Sequence, residues 1–435
     1  MSDQPRPARD HTRFNMAVNI SDGAFFGGAT GFASFVTVIP LFVSTLTSSA
    51  LIIGLISAIH AVGWQLPQLL TANRVARLRR FKPMVLMMTL NERLPFAGLA
   101  LIAWFAERLG GAALWLTLAL LVWQGLGGGL TATAWQSMIG KIIPARRRGT
   151  FFGVQAAAAN LFASGAAVLA GIMLERIASP LDWALCFGIA AVLMMVSWGF
   201  LAQTREESAE PAGAPLSQRE FWGSVGGVLR NDPNFCWFLL TRFASQFATM
   251  ASAFYTIYAV RRFGMGEEMI GALTAVFLLS QTVANPLMGW LGDRFSHRLM
   301  MEGGALAAAA SALIAWLAPG PGWFFAAFAL AGVANVAFWT TALAITLEFG
   351  SLEQRPVYIG LANTMTAPGT ILAPLLGGWL ADTAGYGGTF ATAVAGAIAT
   401  FAIVRLLVRD PRQLGQMGAD GRQAPLAAPE LPGGR

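Results

Sequence analysis

The chain has 435 residues, 55% hydrophobic and only 12% charged, with a formal net charge of +7 and a mean hydropathy of +0.58. Soluble domains carry about 25% charged residues; a chain this poor in charge cannot clothe a water-facing surface, and a bilayer must stand in for water over most of it. That excludes a large soluble domain, and the positive charge, which falls in short loops rather than in one patch, excludes a nucleic-acid binder.

Residues 1–16 open the chain as a polar tail. The apolar stretch that follows is long and lacks a small-residue cleavage pattern, so it is expected to remain as a first membrane span. Spans of about 20 apolar residues are predicted in twelve windows: 17–43, 50–72, 83–106, 113–138, 151–173, 182–202, 235–260, 268–291, 299–318, 323–347, 357–381 and 386–408. With no water in the bilayer, backbone groups must be satisfied within the segment, so these are helices; the alternation of barrel strands is not visible. Twelve spans put both termini on one side. That side holds 23 of the lysines and arginines, against four on the other (Arg108, Arg176, Arg261 and Arg262). The bias places both termini in the cytoplasm. The expected location is the plasma membrane, as in a bacterial inner membrane, with the chain a monomer in the lipid bilayer.

Between spans 6 and 7 the chain turns polar. Pro211 and Pro215 mark a flexible linker, and Phe221, Trp222, Val225, Val228 and Leu229 among polar residues suit a short helix lying on the membrane surface. The expected organisation is a tail (1–16), a six-helix bundle (17–202), a linker with its surface helix (203–232), a second six-helix bundle (233–408) and a disordered tail (409–435) rich in Pro, Gly and Ala. The two bundles repeat. Arg148 and Arg355, Gly153 and Gly360, Gly171 and Gly378, Glu175 and Asp382, and Gly125 and Gly332 are five pairs at one separation of 207 residues. The fold class is therefore an all-α membrane protein with two pseudo-symmetric bundles, an architecture that commonly holds a solute site between its halves near the midplane.

The stretch "NPLMGWLGDRFSHR" between spans 8 and 9 carries Gly289, Leu291, Asp293, Arg294 and Arg298 in the pattern G-x-L-x-D-R-x-x-x-R. With twelve spans, a central linker and two similar halves, it resembles the loop motif of the major facilitator superfamily (MFS), and the resemblance covers essentially the whole chain. It implies that spans 1, 4, 7 and 10 line a central cavity and that the halves rock to alternate access. The motif has a physical logic: glycine lets two helices approach, and the aspartate caps a neighbouring helix and pairs with arginine, latching one access state. The first-half copy has Asn73 where the acid is expected, followed by Arg74, so the latch is expected to rest on the second copy. Span 4 resembles the family pattern R-x-x-Q-G-x-G at Gln124, Gly125 and Gly127, with Leu121 in place of the arginine. In the family's proton antiporters that arginine is associated with proton handling.

Ionised groups inside the spans are expensive and mark pathways or pairings. Glu92 and Arg93 lie near the middle of span 3, Asp22 in span 1, His60 in span 2 and Arg242 in span 7. Neighbouring helix positions point about 100° apart, so Glu92 and Arg93 each need a partner elsewhere. Asp22 is the candidate for Arg93, and His60 for Glu92. Such pairs also serve simply to fix helix register. Further cavity candidates are Trp123, Trp135, Gln136, Gln246, Tyr255, Tyr258, Asn335 and Trp339 on spans 4, 7 and 10.

Enzyme motifs, Walker sequences and metal-ligand spacings are absent from the sequence, so no cofactor is expected. The expectation is a secondary transporter of a small molecule, working by alternating access and driven by protons. The charge-poor, aromatic candidate lining suggests efflux of an amphiphilic compound. Uptake of an anionic metabolite, with Arg242 or Arg93 as counter-charge, is the alternative. A polytopic membrane enzyme or a non-transporting receptor is the reading from another class.

Overall fold

The computed structural model describes residues 11–412, apart from Val36, residues 209–217, Gly266 and Leu352. Residues 1–10 of the first predicted tail, 209–217 of the predicted flexible linker and 413–435 of the last tail therefore lie outside the described residues.

All twelve spans are helical. Span 4 (Ala112–Ile142), span 5 (Arg148–Arg176), span 6 (Leu181–Ala202), span 8 (Glu267–Arg294), span 9 (His297–Leu317) and span 12 (Gly385–Leu406) are single helices. The others change course on the way across. Span 1 divides into Thr12–Phe32 and Val38–Leu46, with Pro40 in the first turn of the second piece, where its missing N–H is no loss. Span 2 divides at Pro67 into Ala50–Gln65 and Gln68–Ala76. Span 3 runs through Lys82–Met88 and Leu90–Trp104. Span 7 joins Pro233–Thr249 to Tyr255–Phe263 through one tight turn, Met250–Phe254. Span 10 (Trp323–Val336, then Ala342–Thr346) carries a wide π turn at Ala337–Thr341. Span 11 pairs Arg355–Thr364 with Ala367–Thr383.

Among the described residues nine helices are long and apolar enough to cross a membrane; spans 1, 2 and 7 stand outside that set. In span 1 Asn15, Asn19, Ser21 and Asp22 dilute the apolar run. Large side chains such as Trp115, Leu161, Val168, Leu317 and Leu375 stand outward and exposed, as expected where lipid replaces water.

In the first bundle span 1 packs on spans 5 and 6, span 4 on spans 2 and 3, and span 3 on span 6. Phe42, Phe96, Trp183 and Phe187 fill its interior. In the second, span 9 packs on spans 10 and 12, span 7 on spans 11 and 12, and span 8 on span 10. The linker helix Gln218–Asn231 buries Phe221, Val225 and Val228 in the core of that bundle and leaves Trp222 exposed. The bundles meet along two pairs of spans, 5 with 8 and 2 with 11. Where spans 5 and 8 cross, their backbones nearly touch. A Cβ on Gly153 would lie 2.2 Å from the Asn285 carbonyl oxygen, and one on Gly289 would lie 2.2 Å from that of Gly149.

Candidate functional site

Three polar constellations sit where apolar contacts would otherwise be expected. The first is inside the first bundle. Asp22 and Arg93 lie roughly 15 Å along spans 1 and 3 from their terminus-side ends, at 1.5 Å per residue. The Arg93 guanidinium reaches the Asp22 carboxylate at 3.0 Å. It also donates to Ser197 Oγ of span 6 at 3.0 Å, to the Met194 carbonyl at 3.2 Å and to the Thr89 hydroxyl. Ser197 in turn donates to Asp22 at 2.5 Å. Phe26 lies against the guanidinium, 5.4 Å from its ring centre. The cation, only 3% exposed, is thus almost fully satisfied, which is the condition for a buried pair to be tolerated.

Glu92 is also buried, but its best ionic contact is Arg93 at 4.0 Å. It rests on the glycines of span 4: a Cβ on Gly128 would stand 2.8 Å from its Oε1. His60 does not meet Glu92 as expected. Its ring stacks on Phe35 at 4.0 Å and its Nδ1 pairs with Gln124 Oε1 at 3.0 Å, because the turn of span 2 that carries it faces span 4 rather than span 3. Asn91 holds Trp123 by its indole N–H at 3.2 Å.

The second constellation lies between the bundles at mid-depth. Arg242 of span 7 is 4% exposed. It donates to Thr366 Oγ1 at 3.3 Å, to the Phe338 carbonyl at 3.1 Å and to Asn363 Oδ1 at 3.2 Å. All three acceptors are neutral, and the wide turn of span 10 supplies the carbonyl. Asn363 continues the chain across the interface, donating to Gln68 Oε1 of span 2 at 2.7 Å. Beside it, Thr370 contacts Gln65 at 3.1 Å and Gln246 at 3.3 Å. A cation, four amides and three hydroxyls, counting Thr364, therefore meet where spans 2, 7 and 11 converge.

The third constellation closes the terminus side. Asp293 accepts from the N–H groups of Gly149 at 2.9 Å and Thr150 at 2.6 Å, and from the Thr150 hydroxyl at 2.7 Å. It thereby caps the first turn of span 5 from across the interface, where unpaired N–H groups and the helix dipole favour an anion. Gly289 stands in the close crossing of spans 5 and 8, one turn before Asp293. The charged neighbour of Asp293 is Arg412 at 3.5 Å, and the His297 ring lies 3.7 Å away. Arg412 and His297 also bind Glu348, at 2.5 and 2.7 Å. The motif arginines lie apart from Asp293: Arg294 is exposed over Trp290 and Phe295, and Arg298 pairs with Glu302 at 3.1 Å and binds the Val404 and Arg405 carbonyls. In the first-half copy Asn73 accepts from Arg77 at 3.2 Å and Arg74 is exposed. Span 11 offers that copy less to cap, because Pro356 stands where span 5 has Gly149 and has no N–H.

Among the described residues, every hydrogen bond joining the bundles lies on the terminus side or at mid-depth.

Several candidates turn elsewhere. Tyr255 is 2% exposed and its hydroxyl meets Ser311 at 2.8 Å within the second bundle. Tyr258 contacts Arg262 and sits among Phe324, Tyr386 and Phe390. Trp135 packs edge-on against Phe152. Gln136 is fully buried with neither amide atom partnered. Asn335 is exposed beside a cavity of about 20 Å³. Trp339 is half-exposed and contacts Trp64 of the other bundle at 5.2 Å. Sequence reasoning missed Gln65, Gln68, Asn363, Ser197 and Thr366; as small polar residues in apolar helices they were the available signal.

The Major Facilitator Superfamily model matches residues 23–266 and 238–429. Protein spinster of Drosophila melanogaster is 29% identical over 151 residues, 34% of this chain and 25% of that protein. Multidrug resistance protein 2 of Bacillus subtilis (strain 168) is 30% identical over 140 residues, 32% of this chain and 34% of that protein. These alignments span only about a quarter to a third of the relatives' length. In fold, the chain is similar to the E. coli fucose:proton symporter FucP (TM-score 0.72, 17% identity, 92% of this chain and 99% of that one). It is equally similar to the human organic anion transporter MFSD10 (TM-score 0.72, 14% identity, 92% and 100%). Two family matches that together run from span 1 past span 12, on a fold shared with solved transporters, settle the classification: this multi-pass membrane chain belongs to the major facilitator superfamily, a family of transporters rather than enzymes.

Proposed function

We propose that the chain is a proton-coupled secondary transporter that carries a small, negatively charged solute by alternating access. Residues 17–202 and 233–408 are the two moving bodies, 203–232 joins them, and the termini face the cytoplasm of a bacterial inner membrane, in which the chain works as a monomer.

The observation that carries the reading is Arg242, a buried cation whose partners are all neutral. Burying an unpaired charge is costly, and an anionic solute arriving at the inter-bundle floor would supply the missing charge. Arg93 is a weaker candidate for that role because Asp22 already neutralises it. The same pairing leaves Glu92 as surplus negative charge in the first bundle, which supports Glu92 over Asp22 as the proton carrier. The aromatic groups that favoured an amphiphile are largely packed inside the bundles.

A second reading, efflux of an amphiphilic compound, draws on the Trp64–Trp339 pair between the bundles. It also draws on relatives named as a multidrug resistance protein and an efflux pump.

Flux into proteoliposomes under an imposed pH gradient separates the two. A panel of labelled carboxylates, their neutral amides and lipophilic cations is the probe. The anion reading expects carboxylates to move and Arg242→Gln to slow them at least about tenfold, since a charged hydrogen bond is worth about 1.5–3 kcal/mol. Carboxylate flux at full rate through Arg242→Gln contradicts it, and movement of the lipophilic cations alone favours efflux.

A further inference from the structure

A cleft of about 620 Å³ opens at the terminus-side ends of spans 1, 3 and 6. Its walls bring together Arg80, Lys82 and Arg205 with His11. Two glutamates also line it, but Glu206 is already engaged. Its carboxylate accepts from the Phe81 and Lys82 N–H groups at 2.9 and 2.8 Å and pairs with Lys141 at 2.9 Å. That leaves three cations facing Glu207. The Arg205 guanidinium is held in place, 3.3 Å from His11 Nδ1 and 4.2 Å from the centre of the Phe14 ring. Among the described residues neither Arg80 nor Lys82 uses its side chain in a hydrogen bond.

The floor of the cleft is apolar, at Pro83 and Leu86. A second, shallow hollow lies along Ala191, Val192, Met195 and Val196 on the outer face of span 6. On a helix of 3.6 residues per turn, Val192, Val196, Gly199 and Gln203 fall on one line, and Gln203 lines the cleft. Nothing lies within 4 Å of where a Cβ on Gly199 would be, so the line is open at Gly199, between the two hollows. Val192 and Met195 are exposed. Basic pockets between spans at the membrane surface suit phosphate headgroups, and an apolar furrow that runs from such a pocket into the bilayer suits an acyl chain.

We propose that this cleft and furrow hold one anionic glycerophospholipid, its headgroup phosphate against Arg80, Lys82 and Arg205 and an acyl chain along Val192 and Val196. The site is separate from the solute path: it lies on the outside of the first bundle, where spans 3 and 6 pack together. Trp198 ties the two spans at this point, donating to the Leu86 carbonyl at 3.0 Å. A lipid seated here would therefore brace the spans that carry Arg93 and Ser197.

Native mass spectrometry of the purified full-length chain in detergent tests the assignment. The probes are phosphatidylglycerol, phosphatidylcholine with the same chains, and soluble glycerol 3-phosphate. Phosphatidylglycerol is expected to be retained about tenfold better than phosphatidylcholine. Arg80→Gln with Lys82→Gln should remove most of that preference, while Arg146→Gln with Arg147→Gln, exposed on the same side, should leave it intact. Val192→Trp with Val196→Trp, which fills the furrow without touching a charge, should lower phosphatidylglycerol retention at least about fivefold. Equal loss in the Arg146/Arg147 control, or equal retention of phosphatidylcholine, overturns the site. Binding of glycerol 3-phosphate as tight as that of the lipid and unmoved by the tryptophans would make it a free-anion site and overturn the lipid assignment.

Discussion

Arg148 and Arg355 trade carbonyls across the bundle interface. Arg148 donates to the Leu347 carbonyl at 3.2 Å, and Arg355 donates to the Gly140 carbonyl at 3.3 Å. The two arginines are 207 residues apart, and so are the two acceptors. The repeat visible in the sequence thus becomes a reciprocal clasp about the pseudo-two-fold axis. Lysine keeps the charge but loses the fork that lets one side chain bind several carbonyls. Arg148→Lys is expected to loosen the terminus side by about 1–2 kcal/mol, roughly tenfold in the open population. A cysteine at buried Ser137, on a background with Cys186 and Cys236 replaced, reports it. Its modification by an impermeant maleimide should quicken by that factor, and an unchanged rate would count against the clasp.

The Asp22–Arg93 pair makes a different demand. Removing one member strands a buried charge, at about 3–5 kcal/mol, whereas removing both costs far less. Asp22→Asn should therefore unfold in detergent at a clearly lower temperature than wild type. Asp22→Leu combined with Arg93→Leu should recover much of the loss. Additive losses would show that the two residues are not coupled.

Glu92 is separable from that pair. Glu92→Gln keeps the shape and cannot release a proton, so solute exchange with no gradient should persist while accumulation driven by a pH gradient disappears. The check is to run both assays on the same proteoliposomes. Gradient-driven accumulation at the wild-type level would remove Glu92 from the coupling.

Crossing geometry supplies a fourth expectation. A methyl at Gly153 would stand 2.2 Å from the Asn285 carbonyl oxygen, which neither backbone can relieve without moving apart. Gly153→Ala is expected to favour the state open on the terminus side and to speed labelling at Ser137 by at least about tenfold. Gly165→Ala on the same helix, with nothing within 4 Å, should leave labelling unchanged.

The residues legible from sequence were those with few alternatives. Asp22 is an acid at nearly the depth of Arg93, so their pairing was legible from depth. Asp293 followed from its place in the motif, and the absence of an acid at Asn73 directs attention to the second copy. Less legible was the direction in which a side chain points on a helix that is apolar on every face. Tyr255, Tyr258 and Trp135 turned into packing for that reason, and His60 found Gln124 instead of Glu92. The inter-bundle chain from Arg242 through Asn363 to Gln68 was hidden because its amides sit among small residues with no motif to flag them. Arg148 and Arg355 were visible only as markers of the repeat and of loop charge. Their reciprocal reach depends on helix crossing, which no local pattern encodes.

A distance measured between electron spins across the terminus-side closure decides whether the two bundles exchange access states. Spin labels go at the exposed positions Arg146, in the loop before span 5, and Glu353, in the corresponding loop before span 11. With wild type, one short distance should dominate without solute, and a second, longer one should grow when a transported solute is added. Asp293→Asn, which forfeits the charged cap on span 5, should populate the longer distance on its own, by roughly 2 kcal/mol or about thirtyfold. A single distance that neither solute nor Asp293→Asn alters, in protein that still moves solute, would contradict alternating access through this closure.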